Sequence, residues 1–248
     1  MEGVRSEFDS QLRELVQNVL EMGGFVEGML RDAMRALETQ DAPLAREVRR
    51  RDQHANDFDA SIEEAAIRLL ALQHPLARDL RTVASGLKVV TDLERIGDYA
   101  SDIAKVAIWL ADEPYFVPLE DIPRMGQTAV GMIHDGLSTY VSRHIVFGKQ
   151  VRDRDREMDR TYKRVHGQVL EWMRSEPATI FQAMNLLLVA RYLERIGDHA
   201  KNIIERVAYM ETGSRWPWRD QEWKQVHGGG AAAEDQFADD EDAVDDEP

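Results

Sequence analysis

Leu93-Glu94-Arg95-Ile96-Gly97-Asp98 returns without change as Leu193-Glu194-Arg195-Ile196-Gly197-Asp198, so the chain contains an internal duplication and its fold has to be built twice. On a helix Glu94 and Asp98 stand four apart and project from one face with Cβ atoms about 5–6 Å apart, as do Glu194 and Asp198. Like charges at that spacing cost roughly 0.2–0.5 kcal/mol, and an interior glycine costs about 1 kcal/mol relative to alanine. Local helix stability therefore does not select this hexapeptide. A single pair of this kind is ordinarily a solvated acidic face, whereas two pairs in matching contexts point to a shared role such as cation binding.

Apolar residues flank the hexapeptide at spacings of three and four. Leu80, Val83, Leu87, Val90, Leu93, Ile96, Ala100, Ile103 and Ala107 describe the buried side of a helix from Leu76 to about Ala111. Upstream, Phe8, Leu12, Leu15, Val19, Met22, Val26, Met29, Ala33 and Leu37 define a first helix. Gln40-Asp41-Ala42-Pro43 breaks it, with a proline suited to a first helical turn. A second helix then carries Phe58, Ile62, Ala65, Leu69 and Leu72 inward and ends at His74-Pro75. Pro114, Pro118 and Pro123 separate the halves. Beyond them the plan repeats: a helix from Ile122 to Phe147 stopped by Gly148-Lys149, one from Val151 to Arg174, a turn at Ser175-Glu176-Pro177, and one to about Glu211.

The expected fold is all-α, two pseudo-symmetric three-helix bundles at residues 1–112 and 121–212 joined by a linker at 113–120. Residues 213–248 remain. Trp216, Trp218 and Trp223 are expected to pack on a bundle end, and the acidic tail after Gly228-Gly229-Gly230 has too little apolar content to fold and is expected to be disordered.

Composition narrows the function. With 248 residues and 43% hydrophobic content the chain can bury a core. The absence of cysteine excludes disulfides, thiolate metal sites and a cysteine nucleophile. The net charge is −15, but residues 231–248 hold nine acids and no Lys or Arg, and setting those nine aside leaves −6. No basic stripe exists for nucleic acid or an anionic membrane surface. The start, Met1-Glu2-Gly3-Val4-Arg5, leads into acidic amphipathic sequence with no apolar leader core, and no run is long enough for membrane insertion. A cytoplasmic location is expected.

Both hairpins allow a geometric test, because antiparallel helices rise equally per residue. About Pro75, Asp52 lies level with Asp98 and Asn56 with Glu94. About the turn at Glu176-Pro177, Asp155 lies level with Asp198 and Asp159 with Glu194. Four oxygen-bearing side chains thus gather in each half, and carboxylates this close repel unless they bind protons or a cation. Asp102 continues the first ridge but lies level with Val48, which makes it peripheral; Asn202 ranks lower. Hard oxygen donors suit Mg, Mn, Ca or Fe, and His166 and His199 near the second site admit Zn. Catalytic di-iron bundles use a Glu-x-x-His motif on each of two helices. No Glu here has a His three residues later, and there is no P-loop, HExxH or GxSxG, so an enzyme is not expected. A metal-free helical adaptor is the other reading.

The doubled hexapeptide, Arg51-Asp52 with Asn56 before Ile62-Glu63-Glu64, Leu69-Leu70-Ala71-Leu72-Gln73 before Pro75, and Asp79-Leu80-Arg81 together resemble the PhoU family of phosphate-transport regulators over about residues 5–212. The resemblance implies two similar three-helix bundles with paired Glu/Asp-x-x-x-Asp motifs that hold mono- or multinuclear metal centres on the bundle surface. By position the motif residues are Asp52, Asn56, Glu94 and Asp98, then Asp155, Asp159, Glu194 and Asp198. It further implies a cytoplasmic homodimer that restrains phosphate uptake. Its partners would be the phosphate-specific ABC transporter, through the nucleotide-binding subunit, and the phosphate-sensing histidine kinase. Asn56 departs from an all-carboxylate pattern, so the second site is expected to hold a divalent cation more tightly.

Overall fold

The computed structural model describes residues 2–73, 75, 77–117, 119–144 and 148–214. They form six helices: α1 Glu2–Thr39, α2 Ala42–Gln73, α3 Arg78–Trp109, α4 Asp121–Ser142, α5 Gly148–Ser175 and α6 Ile180–Thr212, with a 3-10 turn at Pro177–Thr179 before α6. No strand occurs among the described residues. The helices share one compact unit. The tryptophan-rich segment from Trp216 and the acidic tail lie outside the described residues.

Most helix ends follow local chemistry. The Asp41 carboxylate accepts from the Leu44 N–H at 2.9 Å, which caps α2 and places Pro43 in its first turn. Gly213 closes α6 at φ 72°, its N–H donating to the Tyr209 carbonyl at 2.8 Å. The end of α4 differs from the sequence expectation. It stops at Ser142, short of Phe147, because Arg143 takes the left-handed conformation (φ 60°) and its N–H returns to the Thr139 carbonyl. Its guanidinium reaches Glu211 at 3.3 Å and Thr82 at 3.4 Å. A contact with a residue distant in sequence therefore sets this boundary, and Gly148-Lys149, expected as a stop, begins α5.

α3 and α6 lie at the centre, packed on each other and on both other helices of their own repeat, while α1 also meets α4. They run antiparallel: Arg81 donates to the Met210 carbonyl, Asp92 meets His199, and Tyr99 stacks on Tyr192. The pseudo-two-fold is visible in detail. Leu93, Ile96 and Gly97 are buried, as are Leu193, Ile196 and Gly197. Asp32 pairs with Arg51 at 2.7 Å between α1 and α2, and Asp135 pairs with Arg154 between α4 and α5. Where α1 crosses α4, a Cβ on Gly23 would stand 2.4 Å from Leu137 Cδ2, and one on Gly126 would stand 2.7 Å from Met34 Cε. Glycine is favoured there by close approach, not by backbone conformation, since a larger residue would have to push aside the Leu137 and Met34 side chains. Leu72 and Leu80, placed on buried faces from spacing, are 69% and 45% exposed. Both sit at helix ends, where the neighbouring helix no longer covers them.

One substitution tests this packing. Tyr140 is fully buried, its hydroxyl lies close to Gly86, and that hydroxyl has no hydrogen-bond partner. Burial pushes its pKa up to about 12. An unmet buried hydroxyl costs about 1–3 kcal/mol. Tyr140→Phe is therefore expected to raise the unfolding free energy by about 1 kcal/mol in urea titration; a loss would mean that the hydroxyl is bonded to ordered water.

Candidate metal centres

Gly97 and Gly197 face inward in the repeated hexapeptide, so the flanking acids face outward along the α2–α3 and α5–α6 hairpins. A Cβ on Gly97 would already touch Ala55 Cβ at 3.4 Å, which shows how closely α3 lies on α2 beside the first site.

In the first repeat Asp52 lies within electrostatic reach of Asp98 and Asp102, and Glu94 within reach of Asp98 and Asp59. Burial raises the Asp52 pKa, and the charges of Asp98 and Asp102 raise it further, with Arg49 opposing. Asp102 is likewise raised by burial and by Asp98, against Lys105. It thus lies within electrostatic reach of both Asp52 and Asp98. Burial and then Asp98 raise Glu94, Arg95 opposes, and Asp59 adds to the rise. Asp59 is itself raised, by burial and then by Glu63. Asn56, expected level with Glu94, is exposed, and Asp59 is the α2 acid coupled to Glu94. Its counterpart by position in the second repeat, Asp159, is exposed as well. Asp52 Oδ1 is buried with no hydrogen-bond partner. Arg95 is the cation in contact, 3.3 Å from Asp98 and 3.4 Å from Glu94, and it is 56% exposed.

The second repeat holds Asp155, Asp159, Glu194 and Asp198 as expected, but with cations among them. Lys201 Nζ donates to Asp155 Oδ2 at 2.7 Å and Asp198 Oδ1 at 3.3 Å. Burial pulls the Lys201 pKa down, yet the Asp155 hydrogen bond and the charges of Asp155 and Asp198 leave it raised. Arg191 donates to Glu194 at 2.9 Å and lies over the Tyr162 ring. Burial and then Asp155 raise the Asp159 pKa, with Lys201 opposing. Burial and then Asp198 raise Glu194, with Arg191 and Arg195 opposing and Asp159 adding to the rise.

The counterparts of Arg191 and Lys201 in the first repeat are Thr91 and Ser101; those of Asp59 and Asp102 in the second are Tyr162 and Asn202. The charge order expected from sequence is thereby reversed, and the first site is the more anionic. Asp59 was missed although it follows Asp52 by seven, and Lys201 although it follows Asp198 by three. Both intervals place the side chains on one helix face.

Asn202 and His199 leave the second site. Both turn to Asp92 of α3, His199 Nδ1 at 2.9 Å and Asn202 Nδ2 at 3.1 Å, so they join the repeats to each other. His166 is exposed and meets the Tyr162 ring. Among the described residues no three acidic or histidine side chains already converge as a preformed metal centre. Each site has one buried carboxylate oxygen without a hydrogen-bond partner, Asp52 Oδ1 in the first and Glu194 Oε2 in the second, and the first site fits a hard cation in its donor chemistry.

Comparison with known proteins covers both repeats. A family model described as PhoU domain matches residues 19–107 and 122–207. A phosphate-specific transport system accessory protein PhoU homolog of Clostridium acetobutylicum is 39% identical over 212 residues, 85% of this chain and 97% of that protein. Its counterpart in Caulobacter vibrioides is 37% identical over 207 residues, 83% and 90% of the two chains. The crystal structure of PhoU from Pseudomonas aeruginosa superposes with a TM-score of 0.80 at 36% identity, covering 84% of this chain and all 100% of that one. The phosphate transport system regulatory protein PhoU from Streptococcus pneumoniae gives 0.79 at 30% identity, over 85% and 99%.

Proposed function

The chain belongs to the PhoU family, and on that premise we propose that it is a metal-binding accessory protein of a phosphate-specific transport system. It restrains phosphate uptake by contact with the nucleotide-binding subunit of the ABC transporter and with the phosphate-sensing histidine kinase, as a cytoplasmic homodimer. The observation that carries this is a match spanning both repeats and nearly the whole length of relatives that bear the accessory-protein name. No described helix is long and apolar enough to cross a membrane, in keeping with action through protein contact.

The metal's seat is the first site. Asp52, Glu94, Asp98 and Asp102, with Asp59 beside them, are the residues that would hold it. A divalent cation supplies positive charge where four of these carboxyls have pKa values raised by burial and mutual repulsion. These residues would bind the cation and through it fix α2 against α3; Mg, Mn, Fe and Zn are the candidates, with oxygen donors alone, since His166 meets the Tyr162 ring and His199 bonds to Asp92.

The test is affinity capture of the tagged protein from phosphate-replete cells, read by mass spectrometry, beside uptake of labelled phosphate in a deletion strain. Recovery of the nucleotide-binding subunit and the kinase, with raised uptake on deletion, is the expected result. Recovery of neither partner together with unchanged uptake would sink the proposal.

A further inference from the structure

We infer that Lys201 is the resident cation of the second site, so that the two repeats have divided their work: the first takes up a metal ion and the second is closed by an internal ammonium. This rests on the metal reading of the carboxylate pairs proposed above. Lys201 Nζ stands between the two helices of its hairpin, 2.7 Å from Asp155 on α5 and 3.3 Å from Asp198 on α6. A divalent cation bridging those same two carboxylates would have to displace it. The side chain is 25% exposed and the Asp155 carboxyl 15%, which distinguishes this contact from a solvated surface pair.

The neighbouring charges agree. Glu194 Oε1 is engaged by Arg191, while its Oε2 is buried without a hydrogen-bond partner; the Arg195–Asp198 contact at 3.6 Å has its equal in Arg95–Asp98 at 3.3 Å and is common to both sites. The first repeat offers only Ser101 and Thr91 at the equivalent positions, and the Thr91 hydroxyl is turned back to the Leu87 carbonyl. The second site also gives up the fifth oxygen ligand. Asn202, counterpart of Asp102, donates to Asp92 instead. A pair of sites identical in motif thus differs in its cation: at the first an exposed Arg95 meets Glu94 and Asp98, which both lie on α3, while at the second Lys201 bridges α5 and α6.

Titration of the full chain with Mn²⁺, followed by calorimetry and by the electron paramagnetic resonance of free Mn²⁺, tests the inference. Wild type, Asp155→Asn with Asp198→Asn, Asp52→Asn with Asp98→Asn, Lys201→Ser and Lys201→Gln are compared after circular dichroism has verified folding. Wild type and the Asp155/Asp198 double variant are expected to take up Mn²⁺ equally, and Lys201→Ser to gain one further equivalent with at least about a tenfold tighter second-site Kd. That equivalent should vanish when Asp155→Asn and Asp198→Asn are added to Lys201→Ser. Loss of an equivalent from the wild-type count on changing Asp155 and Asp198 would overturn the inference, as would folded Lys201→Ser and Lys201→Gln that bind no more Mn²⁺ than wild type. If wild type and the Asp52/Asp98 variant both bind none while Lys201→Ser binds one, the first-site reading falls and the role of Lys201 stands.

Discussion

Asp92→Ala is expected to lower the unfolding free energy by about 3 kcal/mol, because it removes a buried carboxylate that two donors share. Asp92 is 7% exposed, sits on α3, and accepts from His199 Nδ1 and Asn202 Nδ2 on α6. Removing its carboxylate leaves two donors of α6 facing α3 with no acceptor, beside the stacked Tyr99 and Tyr192 rings. The loss should appear in urea unfolding monitored by circular dichroism, and Asp92→Asn should recover part of it because an amide oxygen still accepts. A change within about 0.5 kcal/mol, the ordinary size of a surface substitution, would show that the seam is held by apolar packing alone.

The second large effect reverses sign with metal. Asp52 is raised in pKa by burial and by Asp98 and Asp102, and its Oδ1 has no partner, so in metal-free protein its charge is a burden. Because Asp52, Asp59, Glu94 and Asp102 all have raised folded values, the native state holds more protons than the unfolded chain just above the ordinary carboxylate range. Metal-free stability is accordingly greatest toward the bottom of that window and falls as pH rises through the folded values. Asp52→Asn should flatten this slope and stabilise the metal-free protein at neutral pH. With Mn²⁺ the order inverts: a cation at one hundred times its Kd stabilises wild type by about 2.7 kcal/mol, and the variant gains far less. Thermal unfolding with chelator and with Mn²⁺ measures both arms, and a variant less stable than wild type in chelator would refute the electrostatic account.

How far the site was legible depended on what set each position. Asp98 and Glu94 were found because a repeated motif on a helix fixes its own face, and Asp52 and Asp155 because equal helical rise places them opposite. Asp59 was missed because level matching pairs it with Thr91 and not with Glu94, on which its charge acts. Lys201 was overlooked because a search for donors passes over a cation.

The sequence by itself determined the all-α class, the duplication, the turns at Asp41 and Pro177, and the inward Leu93, Ile96 and Gly97 with their outward acids. These follow from short-range rules: three-and-four periodicity, capping and proline geometry act within a few residues. Only the tertiary structure decided where α4 ends, through Arg143 reaching Glu211. It alone turned His199 and Asn202 toward Asp92 and gave Lys201 to the second site. The Arg143–Glu211 contact and the two Asp92 contacts join residues 68 to 110 positions apart in sequence, and even Lys201 and Asp155 are separated by 46. Such pairs are selected by how packed helices rotate about their axes, a quantity set by core volume at every crossing and not by any local run of residues.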